Sequence, residues 1–356
     1  MSAITHPHGF RIVGPCTGDR RRVDAVAAFQ AYCACDARAG VEQEAYLSAF
    51  QFDDGFAEHL ARTGSPAGFT GSTWSPFVWL DVDRDESAGG IARALADTKR
   101  LVDTLDERFG VPRCVLVPFV SGGKGLHLGI PTALWAPTPS ADFHAVARQF
   151  AENVAAAAGV AVDAGVFDRV RAFRAPNSRH PKTGLHKRFI PVEILDTVTV
   201  NGVLSLAGAP EAFDLPSTDG VDSVDMLVAV WERAGRAVAE KAAAAEQRRV
   251  EIANGERAIG VNRKTRAFLN GEVEVGERHP RLYSAAANLT EVGCPPSAVR
   301  ALLTEPALDL GLPPKDVERA IENGIARAHP LVAHAAEVFG GTVTKVVQAA
   351  PQGGAS

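Results

Sequence analysis

Two aspartates, Asp81 and Asp83, close the apolar run FVWLDVD at residues 77–83. The run follows Pro76 and is rich in β-branched and aromatic residues, so it reads as a strand. Residues two apart on a strand share a face, which sets both carboxylates side by side while Leu80 and Val82 turn to a core. Adjacent carboxylates repel and raise at least one pKa unless a cation sits between them. A hard divalent ion, Mg²⁺ or Mn²⁺, is the natural partner, since it takes carboxylate oxygens together with substrate phosphates. The same residues also suit an acidic strand end running into a turn at Arg84 and Asp85.

A second constellation is SGGKGLH, residues 121–127. Glycines such as Gly123 let backbone amides approach an anion, Ser121 and Lys124 add a hydroxyl and a point charge, and His127 can donate to a phosphate oxygen. The spacing is not that of a Walker loop, and the segment leads into a strand instead of a helix. An ordinary glycine-rich hairpin fits it equally well. Third, residues 169–188 hold five Arg, two Lys, His180 and His186, and no acid. In a chain of net charge −5 that asymmetry points to a phosphate-binding surface. Together the pieces suit phosphoryl transfer, which is mostly positioning by metals and cations. A third carboxylate is then required near the first two; Asp163 leads and Asp168 competes.

Around these residues the periodicity predicts a helix over 22–50, an amphipathic helix over 90–109, and strands at 114–120 and 126–130 joined by the glycine loop. A helix capped by Ser140 is expected to run to 158, followed by short strands at 160–162 and 189–194. Composition changes near residue 215. An Ala-, Glu- and Arg-rich stretch over 222–251 reads as a long connecting helix, and 261–329 as an all-helical unit in which Val317, Ile321 and Ile325 mark a stripe. The expected domains are 1–215 (catalytic), 216–256 (connector), 257–335 (helical) and a disordered tail over 336–356.

With 46% hydrophobic and 22% charged residues, the composition is that of a globular protein. No apolar run is long enough for a membrane span and no secretory signal is legible, so a cytoplasmic location is expected. Five cysteines, with Cys33 and Cys35 one residue apart, show no zinc-ribbon spacing. The acidic balance argues against coating nucleic acid by bulk charge, though not against a local basic groove.

LDVD (80–83), SGGKGLH (121–127) and VD (162–163), in that order, resemble the three motifs of the archaeo-eukaryotic primase superfamily, in the branch carried by phages, plasmids and bacterial mobile elements. The second motif is similar to the long form of ligase-associated repair polymerases. The third, VDAGVFDRVRAFR, is similar to the corresponding segment of eukaryotic primase-polymerases. The resemblance implies Asp81, Asp83 and Asp163 as ligands of two Mg²⁺ or Mn²⁺ ions. It makes Arg171 and Arg174 nucleotide-binding or structural arginines, and places His180 or Lys182 at a basic triphosphate contact. It implies an α+β fold, a two-layer catalytic domain with an RNA-recognition-like sheet, then a long helix and a small all-helical domain. GERHPRLYSAAANL (276–289) is similar to the helical module that often follows such domains. No zinc-binding stem and no helicase domain are evident, so any helicase would be a separate protein. The implied activity is templated primer synthesis from NTPs or dNTPs on single-stranded DNA. A primer-extending repair polymerase, a replication-initiation DNA-binding protein and a metal nuclease are the alternatives.

Overall fold

The computed structural model describes residues 6–253, 260–274 and 276–328. It divides into two compact units, Met1–Ala243 and Ala244–Ser356. The tail expected over 336–356 lies outside the described residues. Among the described residues no helix is long and apolar enough to cross a membrane. All five cysteines are free.

In chain order the first unit begins with β1 (His8–Val13), β2 (Arg21–Asp24), α1 (Ala25–Cys33), β3 (Ala45–Ser48), β4 (Gln51–Phe52), α2 (Gly55–Thr63) and β5 (Thr73–Trp74). Then follow β6 (Phe77–Asp83), α3 (Gly90–Phe109), β7 (Val117–Val120), β8 (Gly125–Pro131) and α4 (Phe143–Ala157). The unit continues with β9 (Ala172–Arg174), β10 (Arg188–Phe189), α5 (Val192–Leu195), α6 (Val200–Leu206) and the part of α7 (Asp225–Ala253) up to Ala243. Two antiparallel sheets result. One has the order β5-β4-β1-β3-β9 with β2 also on β1; the other is β10-β7-β8-β6. The fold class is α+β, with a six-stranded sheet that the hydrophobic pattern did not signal. Its strands are two to six residues long, too short to show a clear alternation.

The strand at 77–83 forms as expected. Val78, Leu80 and Val82 are buried at 1% exposure or less, and α3 and α4 pack on this sheet. The opposite face carries Phe77, Trp79, Asp81 and Asp83. There the Trp79 and Phe173 rings, 5.6 Å apart, join β6 to β9 of the other sheet. Helix α3 spans the expected residues and ends at Gly110, whose φ of 73° lets its amide return to Asp106 O.

Several expectations are corrected. Only Ala25–Cys33 of the helix expected over 22–50 is helical: Asp24 caps it, and the chain leaves at Cys35 (φ 49°) to build β3, which buries Ala45 and Leu47. Residues 113–115 form a 3-10 turn before β7. Ser140 does not cap α4; its backbone pairs with Thr73, and the helix begins at Phe143. Residues 160–162 are not a strand. At 189–194 the strand ends at Phe189, because Pro191 has no N–H for a ladder and instead starts α5. Helix α7 is not free of the first unit at its start. Trp231 sits 5.1–5.7 Å, ring to ring, from Phe143, Phe150 and Trp135.

The second unit contains α8 (Arg263–Leu269), α9 (Arg278–Glu291), α10 (Pro296–Asp309) and α11 (Pro314–Ala328). Phe268, Leu282, Leu289, Val299 and Leu303 form its core with the expected stripe Val317, Ile321 and Ile325. Asn288 holds α8 to α9, its Oδ1 accepting from Asn262 N and the Thr265 hydroxyl.

Candidate active site

The register of β6 against β8 sets Asp81 opposite His127 and Asp83 opposite Gly125. Asp81 is largely buried, whereas Asp83 is a third exposed. The segment bearing Asp163 runs beside them, its amide donating to Asp81 O at 2.9 Å. Burial, then the neighbouring Asp83 and Asp163 charges, push the Asp81 carboxyl up to about 7; Lys187 and Arg171 oppose the shift. Burial also raises Asp83, against the pull of Lys124. Asp81 Oδ1 has no hydrogen-bond partner although it is buried, and His127 Nε2 at 3.5 Å is too distant to serve well.

A buried carboxylate oxygen lacking a partner, beside a second carboxylate on the same face, is a donor set suited to a hard cation. The Asp81–Asp83 pair therefore fits a divalent ion. Asp163 does not complete a triad as placed, because its Oδ1 accepts from Gly165 N at 2.8 Å and caps the 3-10 turn Ala164–Phe167. Among the described residues no three His, Cys, Asp or Glu side chains converge on one ion position. The Asp168 carbonyl accepts from Arg171 N, and its charge acts on His144.

The glycine loop is a β7–β8 hairpin packed against the basic segment. A Cβ on Gly125 would lie 2.2 Å from Asp83 Oδ1 and 2.4 Å from Val82 O, so only glycine allows this loop beside the acids. Gly122, at φ 75°, lies against the backbone of Leu185 and His186. Ser121 is buried, and its hydroxyl accepts from Gly123 N and Gly125 N at 3.2 and 3.4 Å. Ser121 and the Gly123 amide are thus used to shape the loop. Lys124 projects outward, 2.6 Å from Asp85 and 4.0 Å from Asp83. His180 lies over Gly123, with Nδ1 accepting from Lys182 N and Thr183 N. His127 is buried against Phe173, ring centroids 4.5 Å apart, and burial holds its pKa well below the ordinary value. It faces Asp81 as a neutral ring.

The basic run divides by environment. Arg169 donates to Phe69 O and Ala141 O, Arg179 to Gly184 O, and the buried Arg188 to Leu206 O, Glu211 O and the Glu211 carboxylate. These three tie loops together, so the run is only in part the phosphate surface expected of it. Arg171 and Lys182 are exposed. Arg174 reaches Tyr46 OH at 3.3 Å and adds positive field to His127 and His180.

Two further residues bear on the site. Lys187 is 1% exposed, with Nζ 4.1–5.1 Å from the ring centroids of Phe173, Phe119 and Trp79 and donating to Arg174 O at 2.9 Å. Burial lowers it to about 7 while the Asp81 charge opposes the shift. No local pattern marks it, since its cage comes from three separate strands. Arg84 donates to Asp83 O (2.7 Å), Ala161 O (2.8 Å) and the buried Asp97 (2.9 Å). It locks the end of β6 to the segment that leads into Asp163. Asp97 also holds Arg93 and Arg100. That cluster had a signal: an acid on the buried stripe of α3, with arginines four residues before it and three after.

Neither the family models nor the curated proteins contain a match to this chain. Among solved structures, a crystal structure of primase RepB′ matches over 95% of each chain, at 15% identity and a TM-score of 0.35.

Proposed function

We propose that this chain catalyses metal-dependent nucleotidyl transfer on a DNA template, as a primase-polymerase serving the replication of a mobile element. The observation that carries this reading is the pair Asp81 and Asp83 on one face of β6, with the Asp163 segment hydrogen-bonded to Asp81 and a glycine hairpin beside Asp83. Asp81 and Asp83 would hold Mg²⁺ or Mn²⁺, with Asp163 joining as a ligand of the two ions once its carboxylate turns away from Gly165. When bound, the ions supply Lewis acidity at the α-phosphate and activate a 3′-hydroxyl for attack, with pyrophosphate leaving.

The chain's own groups bind and orient. Lys124 exchanges Asp85 for a phosphate oxygen, a short move for a flexible exposed side chain. Arg171 and Lys182, both exposed, contact the triphosphate or the template backbone. Arg174, braced on Tyr46, supplies positive field without leaving its place. His127, the cross-strand neighbour of Asp81, packs beside it as a neutral ring. Single-stranded DNA is the template and NTPs or dNTPs the substrates.

The test is incorporation of labelled nucleotides on single-stranded DNA with Mg²⁺ or Mn²⁺, with and without an annealed primer. Product from unprimed template, lost in the Asp81→Ala/Asp83→Ala double variant, is the expected result. Extension from a primer only would replace the primase reading by a repair polymerase. Product that survives in the double variant would refute the site.

A further inference from the structure

Arg174 is held in place and still has donors unused. Its Nη1 donates to Arg179 O and its Nη2 to Tyr46 OH, both at 3.3 Å. A guanidinium carries five N–H groups, so three remain. The guanidinium carbon lies 5.1 Å from the centroid of the Tyr46 ring. Tyr46 and Arg174 are direct cross-strand partners on β3 and β9, so the sheet itself brings the two side chains together. Arg179 precedes His180, whose ring lies over Gly123, so the bond to Arg179 O ties Arg174 to the surroundings of the glycine hairpin. The Arg174 charge also bears on His127, beside Asp81. Tyr46 has a second bond. Its hydroxyl donates to a carboxylate oxygen of Glu44, on the loop before β3. Burial and then this bond push the phenol up to about 12, against the Arg174 charge, so its proton stays in place. A phenol has one proton to give; with it committed to Glu44, the oxygen can only accept from Arg174. Carboxylate, hydroxyl and guanidinium thus form a directed chain, and the scheme above does not use its first member.

We propose that Glu44 and Tyr46 are positioning residues that set Arg174 as a fixed phosphate-binding fork for the incoming triphosphate. The inference rests on the nucleotidyl-transfer reading for the identity of that ligand. Arg171 and Lys182 are exposed and must give up side-chain freedom when they close on an anion. Arg174 has given it up in the folded protein, so its remaining donors meet a phosphate oxygen at little further entropic cost. Without Glu44 the phenol hydroxyl is free to rotate, and its proton can point at the guanidinium instead of away from it. Without Tyr46 the guanidinium keeps its bond to Arg179 O and loses its second anchor. A bare carboxylate this close to a phosphate site would repel the ligand; bound to the phenol, Glu44 instead orients the cation that attracts it.

The experiment is calorimetric titration of the full chain with inorganic tripolyphosphate in Mg²⁺, beside nucleotide incorporation on a primed template. Tyr46→Phe keeps the ring and removes the acceptor, Glu44→Ala removes the carboxylate, and Glu44→Gln keeps an oxygen that can accept. Tyr46→Phe and Glu44→Ala should each weaken tripolyphosphate binding about tenfold, the equivalent of one hydrogen bond. The KM for nucleotide should rise by the same factor, with kcat within about threefold. Glu44→Gln should restore binding to within about threefold of wild type. In an Arg174→Met background neither substitution should add a loss, because both act through the guanidinium. Thermal melts show that each variant folds. A lowered Tm with tripolyphosphate binding unchanged would reduce the pair to a structural tie and overturn the inference. So would an equal loss in the Arg174→Met background, a loss in Glu44→Gln as large as in Glu44→Ala, or no saturable binding of tripolyphosphate by the wild type. The titration needs neither template nor turnover, so absence of incorporation would count against the polymerase reading and leave this result standing.

Discussion

Replacing Arg84, whose side chain is 13% exposed, by Met keeps the aliphatic stem and removes the guanidinium. Three bonds are lost: to Asp83 O at 2.7 Å, to Ala161 O at 2.8 Å and to Asp97 at 2.9 Å. Asp97 keeps Arg93 at 3.0 Å and Arg100 at 2.6 Å, so it is not left as a lone buried charge. The bond to Ala161 lies at the surface, where water replaces it. The remaining two bonds are worth about 3–6 kcal/mol, at about 1.5–3 kcal/mol per hydrogen bond to a charged group. For a unit of this size that lowers Tm by roughly 6–24 °C. Function should suffer separately. With the clamp gone, the end of β6 and the segment before Asp163 are no longer held in register, and a displacement of about 1 Å costs on the order of 10²-fold in turnover. The KM for nucleotide should stay within about threefold, because Lys124, Arg171 and Lys182 are untouched. Thermal melts and steady-state incorporation measured below the melting range separate the two effects, and Arg84→Lys should recover part of the turnover. A lowered Tm with turnover within about threefold of wild type would refute Arg84 as a positioning residue.

Asp163→Asn should abolish incorporation while Asp168→Asn leaves it within about threefold; the opposite ranking would exchange the two carboxylates' roles. Gly125→Ala drives a methyl into Asp83 and Val82 O from both sides, and should destabilise by about 1–3 kcal/mol in chemical denaturation and remove activity. Trp231→Ala should cost about 3 kcal/mol, read as an earlier unfolding transition of the first unit, because the ring packs on Phe143, Phe150 and Trp135. Burial pushes the Cys33 thiol up to about 12, so at pH 8 a thiol reagent should label exposed Cys16 and Cys114 and leave Cys33 until the chain unfolds. The folded state holds the Cys33 proton longer than the unfolded one, so this group lowers stability as pH rises from about 9 to 12.

Much of the site was legible because its chemistry is local in sequence. The strand at 77–83 announces itself by β-branched and aromatic residues, and the period of two puts Asp81 and Asp83 on one face without any tertiary information. The α3 boundaries follow from a strong apolar stripe and a glycine that accepts φ 73°. The hairpin at 121–125 follows from its glycines. The helix expected over 22–50 failed beyond Cys33 because Ala45 and Leu47 bury better against β1 and β9 than on a helix. At 189–194 the apolar run was right and Pro191 decided its division.

The sequence by itself determined which residues carry chemistry and which neighbours share a face, since those depend only on strand and helix periods. Tertiary structure decided which of the basic residues are available. Arg169, Arg179 and Arg188 spend their donors on carbonyls of loops that no local pattern links to them. It also decided that Asp163, not Asp168, lies beside Asp81, through one main-chain hydrogen bond across 82 positions of chain. Lys187 and its aromatic cage were decided there as well. Burial of an ammonium depends on rings brought together from β6, β7 and β9, and that convergence exists only once the two sheets face each other.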